Sequence, residues 1–380
     1  MGCNCTKPPL MERQSEDLLE GDNLVEGDWS IIKQKKVKSH QNNIKSKIKK
    51  NLTNIIEKAI TEEEFNNALP PKILNYITEN PYSTEIENEN SENLVENEPV
   101  ILNGGNYYWG QWNENVEMSG NGKYYLTEDN VLAEGYWKDG ILIQARIFLP
   151  DGVYEGDILN NMFHGTGKMI YNDGRVYEGG WVNSSKEGIG MLSWPDGSKY
   201  WGHFEKDQIN GEGEFIWTNG CKYKGLFVDG VFEGKGTLKA KNGNYYEGEF
   251  KEGLYDGHGK FIWEAVQKEN KEKFIGSYKC GKKEGKGKYY FKNGLIYDGL
   301  WNNGLPNGQG QVESDFKIYK SIWKDGQMTQ KPQEEIKENG RDESINLNFD
   351  SSNIQEEDIE YRELLYLDII PSNMRETGLN

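Results

Sequence analysis

The chain has 380 residues, a formal net charge of −18, 45 glycines, 22 tyrosines and 11 tryptophans. The charge divides as −6 over residues 1–103, −4 over 104–330 and −8 over 331–380, so the ends set the low pI and the middle carries no basic field of the kind that binds nucleic acid. No apolar run of about 18 residues exists for a transmembrane helix, no hydrophobic signal peptide is seen, and four cysteines at 3, 5, 221 and 280 make no disulfide framework, which points to a cytosolic, reducing compartment.

Met1-Gly2-Cys3-Asn4-Cys5-Thr6 fits Met-Gly-x-x-x-Ser/Thr, the pattern that directs a myristoyl group to Gly2. Cys3 and Cys5 flank the site as candidates for palmitoylation. One myristoyl chain binds a membrane only marginally, and a second lipid makes the anchor stable. Cys-x-Cys is also a metal-ligand spacing, but further ligands are missing nearby and no metal site is expected. Residues 1–28 thus read as a lipidated terminus with an acidic, polar spacer.

Residues 29–65 read as a basic amphipathic helix. Ile44, Ile48, Leu52, Ile55, Ile56 and Ala59 recur at helical spacing. Lys33, Lys35, Lys36, Lys38, Lys45, Lys47, Lys49 and Lys50 crowd its first part. Three uses fit. It can lie on anionic lipid, each lysine adding about 1 kcal/mol; it can bind a calmodulin-type partner; or it can pack its stripe on the following domain as a cap. Residues 66–103, with Pro70-Pro71 and an Asn/Glu-rich stretch, read as a linker with one short helix.

From 104 to 330 the chain repeats itself. Tyr154, Tyr177, Tyr200, Tyr223 and Tyr246 stand 23 residues apart. They open a common phrase with Gly156, with Gly179 and Trp181, with Gly202 and Phe204, with Gly225 and Phe227, and with Gly248 and Phe250. Period-2 spacing puts these positions on one face of a strand. Glycine between rings leaves room for an aromatic to lie across the backbone. Eleven residues after each tyrosine comes Gly-x-Gly, from Gly165/Gly167 to Gly257/Gly259, expected to end a loop and start a second strand. Asp173-Gly174, Asp196-Gly197, Asn219-Gly220 and Asn242-Gly243 then predict type I′ turns. Each unit is therefore a β-hairpin that must stack on its neighbours to bury its rings.

The first unit starts at Tyr108 and Trp112. The second, with Gly135 and Trp137, has Ala145 and Ile147 about where Gly-x-Gly should stand. The phase breaks at 264–273, a charged insertion expected as an exposed loop or short helical bulge. It resumes at Phe274, Gly276 and Tyr278, continues through Tyr297 and Trp301, and ends on Tyr319 and Trp323. Lys279, Lys282, Lys283 and Lys286 belong to the one strongly basic unit, a candidate surface for anionic lipid or a merely solvated face. Residues 331–380 read as an acidic tail, with a helix near 354–370 that covers the sheet or binds a partner.

Tyr-x-Gly-x-Trp/Phe, Gly-x-Gly and Asp/Asn-Gly in fixed phase resemble the MORN (membrane occupation and recognition nexus) repeat. The resemblance covers about residues 104 to 330. It implies a mainly β fold, an elongated single-layer twisted antiparallel sheet of about ten hairpins. It also implies scaffolding, pairing of two chains into a homodimer, attachment to membranes or cilia, or service beside a separate catalytic domain.

No catalytic constellation or cofactor motif is found. Gly276 to Lys283 matches most of a phosphate loop but lacks its Ser/Thr and lies within one hairpin. The expected function is a non-enzymatic membrane-tethered scaffold at the cytosolic face of a plasma or ciliary membrane, presenting an aromatic groove and sheet edges to a protein partner. The alternatives are a soluble structural component of a ciliary or cytoskeletal assembly, or a phospholipid-binding regulatory subunit of a separate enzyme.

Overall fold

The computed structural model describes residues 55–82, 94–96, 98–263, 272–314 and 317–336. Among them the chain is mainly β, and successive strands pair antiparallel. It folds as two compact units. The first holds the described residues up to Pro195 together with Phe204–Asp207, and the second holds Asp196–His203 and the described residues from Gln208 onward.

In the first unit β1 (Ile56–Ala59) pairs with β3 (Val100–Leu102), and β2 (Val95–Glu96) and β3 both pair with β4 (Tyr107–Trp112). The expected helix over 29–65 is therefore corrected at Ile56–Ala59, while Glu62–Phe65 are helical. Residues 29–54, with the eight lysines of its first part, lie outside the described residues. Ile56–Ala59 are strand, because pairing with Val100–Leu102 satisfies their backbone groups at a sheet edge. A helix starts only after Thr61. The Glu64 N–H donates to Thr61 Oγ1 at 3.1 Å and the Thr61 N–H donates to Glu64 Oε2 at 2.8 Å, a reciprocal cap that the helical spacing alone does not reveal.

Two short helices follow, Glu62–Ala68, which begins inside the expected helix, and Pro71–Glu79, within the stretch expected to be linker with one short helix. Their Phe65, Leu69 and Ile77 bury themselves against Tyr125, Leu132 and Phe148. Phe65 meets Tyr107 and Trp109 edge-on at 6.2 and 5.7 Å. These strand residues alternate with Tyr108, so the helices cover the sheet face opposite the repeat tyrosines. Beside them a buried cross-strand pair joins Arg146 Nε to Glu134 Oε2 at 3.0 Å. The Arg146 guanidinium lies over Tyr82 and Phe148 at 5.0 and 5.4 Å, which replaces part of the hydration it loses.

The meander continues through β5 (Met118–Leu126), β6 (Val131–Lys138), β7 (Ile141–Leu149), β8 (Gly152–Leu159), β9 (Met162–Tyr171), β10 (Val176–Val182) and β11 (Ser185–Ser193). β12 (Lys199–Glu205) carries residues of both units. The second unit adds β13 (Gln208–Ile216), β14 (Lys222–Val228), β15 (Val231–Lys239), β16 (Tyr245–Lys251), β17 (Leu254–Ile262) and β18 (Lys273–Lys279). β19 (Lys282–Tyr290), β20 (Ile296–Asn302), β21 (Leu305–Glu313), β22 (Lys317–Lys324) and β23 (Gln327–Met328) follow. The tail expected from residue 331 supplies one more strand, β24 (Gln333–Ile336), paired with Lys317–Lys320 of β22. Residues 264–271 of the insertion and 337–380, with the expected helix at 354–370, lie outside the described residues.

The turns differ from expectation. Asp173-Gly174 does not form a type I′ turn, since only Gly174 has a positive φ, 88°. The Gly174 N–H donates to Tyr171 O at 3.0 Å and the Tyr171 N–H to Arg175 O at 2.9 Å, which closes a three-residue loop ending in a left-handed glycine. The aspartate serves as an acceptor: the Arg175 N–H donates to Asp173 Oδ1 at 2.9 Å, and Asp196, Asn219, Asn242 and Asn293 repeat that bond. Type I′ geometry lies at the other end of the hairpins from β6–β7 onward, where both central residues have positive φ. Asn160-Asn161 shows 52° and 65°, and Asp229-Gly230 shows 49° and 75°. Some of these pairs are themselves Asp-Gly or Asn-Gly, as at 139–140, 229–230, 303–304 and 325–326, and others are not, so the dipeptide alone does not say which end of the repeat is the type I′ turn.

Gly-x-Gly lies inside the second strand rather than at its start, and its two glycines answer different demands. Gly188, with φ 73°, sits in a bulge where residues 187–189 oppose Gly180. Gly190 faces Gly179 directly, and the Tyr177 ring lies across both; a Cβ on Gly190 would stand 2.5 Å from Tyr177 Oη.

Candidate interaction surfaces

The repeat tyrosines build one face of each unit. Tyr177 is fully buried and donates its hydroxyl to Gly180 O at 2.9 Å, three residues along its own strand. Tyr108, Tyr154, Tyr200, Tyr223, Tyr246 and Tyr297 make the same bond at 2.8 to 3.1 Å. Burial drives these phenols well above their ordinary pKa. Tyr108, Tyr177, Tyr223, Tyr246 and Tyr297 are each clasped edge-on between two aromatics, whereas Tyr154, with Ile158 on its own strand, meets Trp181 edge-on. Tyr177 meets Trp181 on its own strand at 5.2 Å and Phe204 of the next repeat at 5.0 Å. Tyr223 meets Phe227 and Phe250 at 5.1 Å each. This edge-to-face geometry is favoured by the ring quadrupoles.

A third ring stacks on the tyrosine from nine residues on: Phe163 on Tyr154, Phe232 on Tyr223 and Tyr255 on Tyr246, each at 3.7 Å. In two repeats that position is lysine. Lys186 Nζ lies 5.7 Å over Tyr177 and 5.8 Å over Trp181, and bonds Asp207 at 3.0 Å. Burial opposes its charge, but Tyr171 and Asp207 outweigh that and hold its pKa above the usual value. Lys283 is 3% exposed, with Trp263, Tyr289, Trp301 and Phe274 rings at 5.0, 5.3, 5.5 and 5.8 Å. The expectation that Lys283 faces lipid is thus corrected: its ammonium is held among rings. The column of residues nine past each tyrosine was visible in the sequence and was the signal for this placement.

The Tyr, Trp and Phe residues singled out from the sequence come together on this face, and they cover one another. The aromatic groove expected to receive a partner is consumed by the fold's own packing. At one repeat the packing is incomplete. Phe274 takes the tyrosine position over Gly276 and Gly287 and lacks the hydroxyl. Phe274→Tyr is expected to raise stability by about 1 kcal/mol through the missing bond to the Ser277 carbonyl, read as a higher denaturant midpoint with an unchanged slope.

The description "MORN repeat" matches segments 154–174, 177–199, 200–222, 223–245, 246–264, 274–296 and 297–312. Residues 154–312 carry MORN repeats. β4 to β7 lie before the matched MORN segments and still pair in the same register, Gly110 with Gly122 and Gly122 with Gly135. A search of curated proteins found no match. Among solved structures, the TCP10c domain of Drosophila melanogaster Sas-4 is 16% identical, covering 42% of this chain and 93% of its own at a TM-score of 0.26. The G-box domain of the microcephaly protein CPAP is 12% identical, covering 57% and 98% at a TM-score of 0.23. Likenesses at this level do not bear on the function of these MORN repeats.

The opposite face of the MORN units is the accessible one. Leu226, Val228, Leu300 and Ile322 are 37 to 42% exposed there in the second unit. Lys279, Lys282 and Lys286 are exposed, and Lys279 and Lys282 are cross-strand partners beside a turn. Gly2, Cys3 and Cys5 lie outside the described residues.

Proposed function

We infer that this protein is a non-enzymatic scaffold, tethered by acyl groups on Gly2 and on Cys3 or Cys5 to the cytosolic face of a membrane. The observation behind the scaffold reading is that the repeat side chains serve one another. Tyrosines, glycines and their partner rings are spent on making a surface, and charged and apolar side chains are left outward on the other face. Tethering is supported by Met1 to Thr6, where an acylation pattern and two adjacent cysteines coincide.

Gly2→Ala removes the acceptor amine. The expected result is an intact mass without the myristoyl increment and a protein that moves from the membrane to the soluble fraction. An unmodified wild-type mass, or unchanged fractionation of the variant, overturns tethering. It would direct attention to the soluble cytoskeletal or ciliary role.

A further inference from the structure

The outward face of β17 to β20 is unusual in charge. Cross-strand pairing sets Lys260, Ile275, Lys288 and Asp298 in one row, and Lys286 beside Leu300. Asp256, Glu284 and Asp298 are the only carboxylates on β17 to β20, against seven lysines, of which Lys283 alone turns inward to the rings, and Asp256 accepts the Cys280 N–H at 3.0 Å. Asp298 already pairs with Lys288 at 2.8 Å, and the Glu284 carboxylate accepts the Asn303 N–H at 3.1 Å. The face is thus basic, with Leu300 37% exposed between the lysines.

In the first unit the sheet face opposite the repeat tyrosines, there apolar rather than basic, is covered by the chain itself. Residues 62–79 fold over it there and bury Phe65, Leu69 and Ile77 against the outward side chains of the sheet. Outside the described residues, two stretches are both acidic and apolar, 11–27 and 354–370, and the second is the richer in apolar side chains and follows directly from the second unit. Residues 354–370 carry six acidic side chains and one arginine, with nine aliphatic or tyrosine side chains between them. The described chain ends at Ile336 in β24, beside β22. The connecting residues 337–353 can span roughly 55 Å when extended, whereas β19 is four strand spacings from β24, roughly 19 Å.

We propose that the outward face of β17 to β20 is a docking surface for an acidic, apolar peptide, and that residues 354–370 of the same chain occupy it. Acids of the segment pair with Lys260, Lys286 and Lys288, and its apolar side chains cover Ile275 and Leu300. The contact is independent of the membrane anchor.

Zero-length carbodiimide cross-linking of the full chain, in an equal mixture of light and isotope-labelled protein, tests it. Links from Glu360 or Glu363 to Lys286 or Lys288 are expected within chains of one isotope. Amine labelling of Lys286 and Lys288 is expected to be about tenfold slower in the wild type than in a variant with Glu356, Glu357, Glu360 and Glu363 changed to Gln, as for a docked population near nine-tenths. High salt should abolish that difference. Links found only between isotopes overturn the assignment in favour of a contact between copies. Equal labelling of wild type and variant, with no links, overturns it outright.

Discussion

Raising the pH above 10 is expected to unfold the repeats over a narrow range. Seven buried tyrosines, one in each of seven repeats, have pKa values raised from 10.0, chiefly by burial. The sign follows from proton counting. Between pH 10 and the raised folded value, the unfolded chain has lost the phenolic proton and the folded chain keeps it. Stability is therefore whole below pH 10 and falls as pH rises. Each phenol contributes a loss of about 1.4 kcal/mol per pH unit, so the three in the first unit contribute about 4 kcal/mol per pH unit and the four in the second about 6, a large part of the stability of an ordinary domain. Seven of the 22 tyrosines should therefore ionise only together with loss of the β-sheet circular dichroism. Complete tyrosinate absorbance reached while the sheet signal persists would show that these hydroxyls are not held as described. Tyr223→Phe should move the transition to higher pH, because Phe274 shows that the ring packs without the hydroxyl.

The second large effect is expected from the contact between tyrosine and paired glycines. Gly190→Ala places a methyl 2.5 Å from Tyr177 Oη, against a ring that is fully buried and clasped on both edges. It should cost about 3 kcal/mol by overpacking. Tyr177→Ala should cost about 3–5 kcal/mol by leaving a cavity. The double variant should cost about 2 kcal/mol less than the sum, because each change relieves the other. The protein already contains this combination. In the second repeat Ala133 stands at the tyrosine position and Ala145 opposite Gly135, so a methyl fills part of the space the phenol takes elsewhere. Gly220→Ala is the control: with φ 87° and no atom within 4 Å of its Cβ, it should cost only about 1–2 kcal/mol of backbone strain. Urea midpoints for the four proteins decide the matter, and strict additivity of the double variant would refute the shared-space account.

The basic unit shows where sequence reading stops. Lys279, Lys282, Lys283 and Lys286 look equivalent as a run of charge. Pairing separates them, because Lys283 falls opposite Tyr278 on the ring-bearing face while Lys282 and Lys286 take the other. The cap has the same character. Residues 55–59 fit a helical stripe and a short strand equally well, and only the presence of Val100–Leu102 alongside makes the strand the better partner for the backbone.

By itself the sequence determined that the chain repeats, that each repeat is a pair of strands, and which side chains share a face. These follow from alternation along a single strand and from a 23-residue period that needs no knowledge of neighbours. Tertiary structure decided which pair of residues makes the tight turn, why one glycine of each Gly-x-Gly needs a bulge and the other an absent side chain, and that two lysines take the place of stacking rings. Those outcomes depend on cross-strand register, which brings Gly190 to Gly179 and Lys186 to Trp181, and register is settled by contacts between residues far apart in the chain.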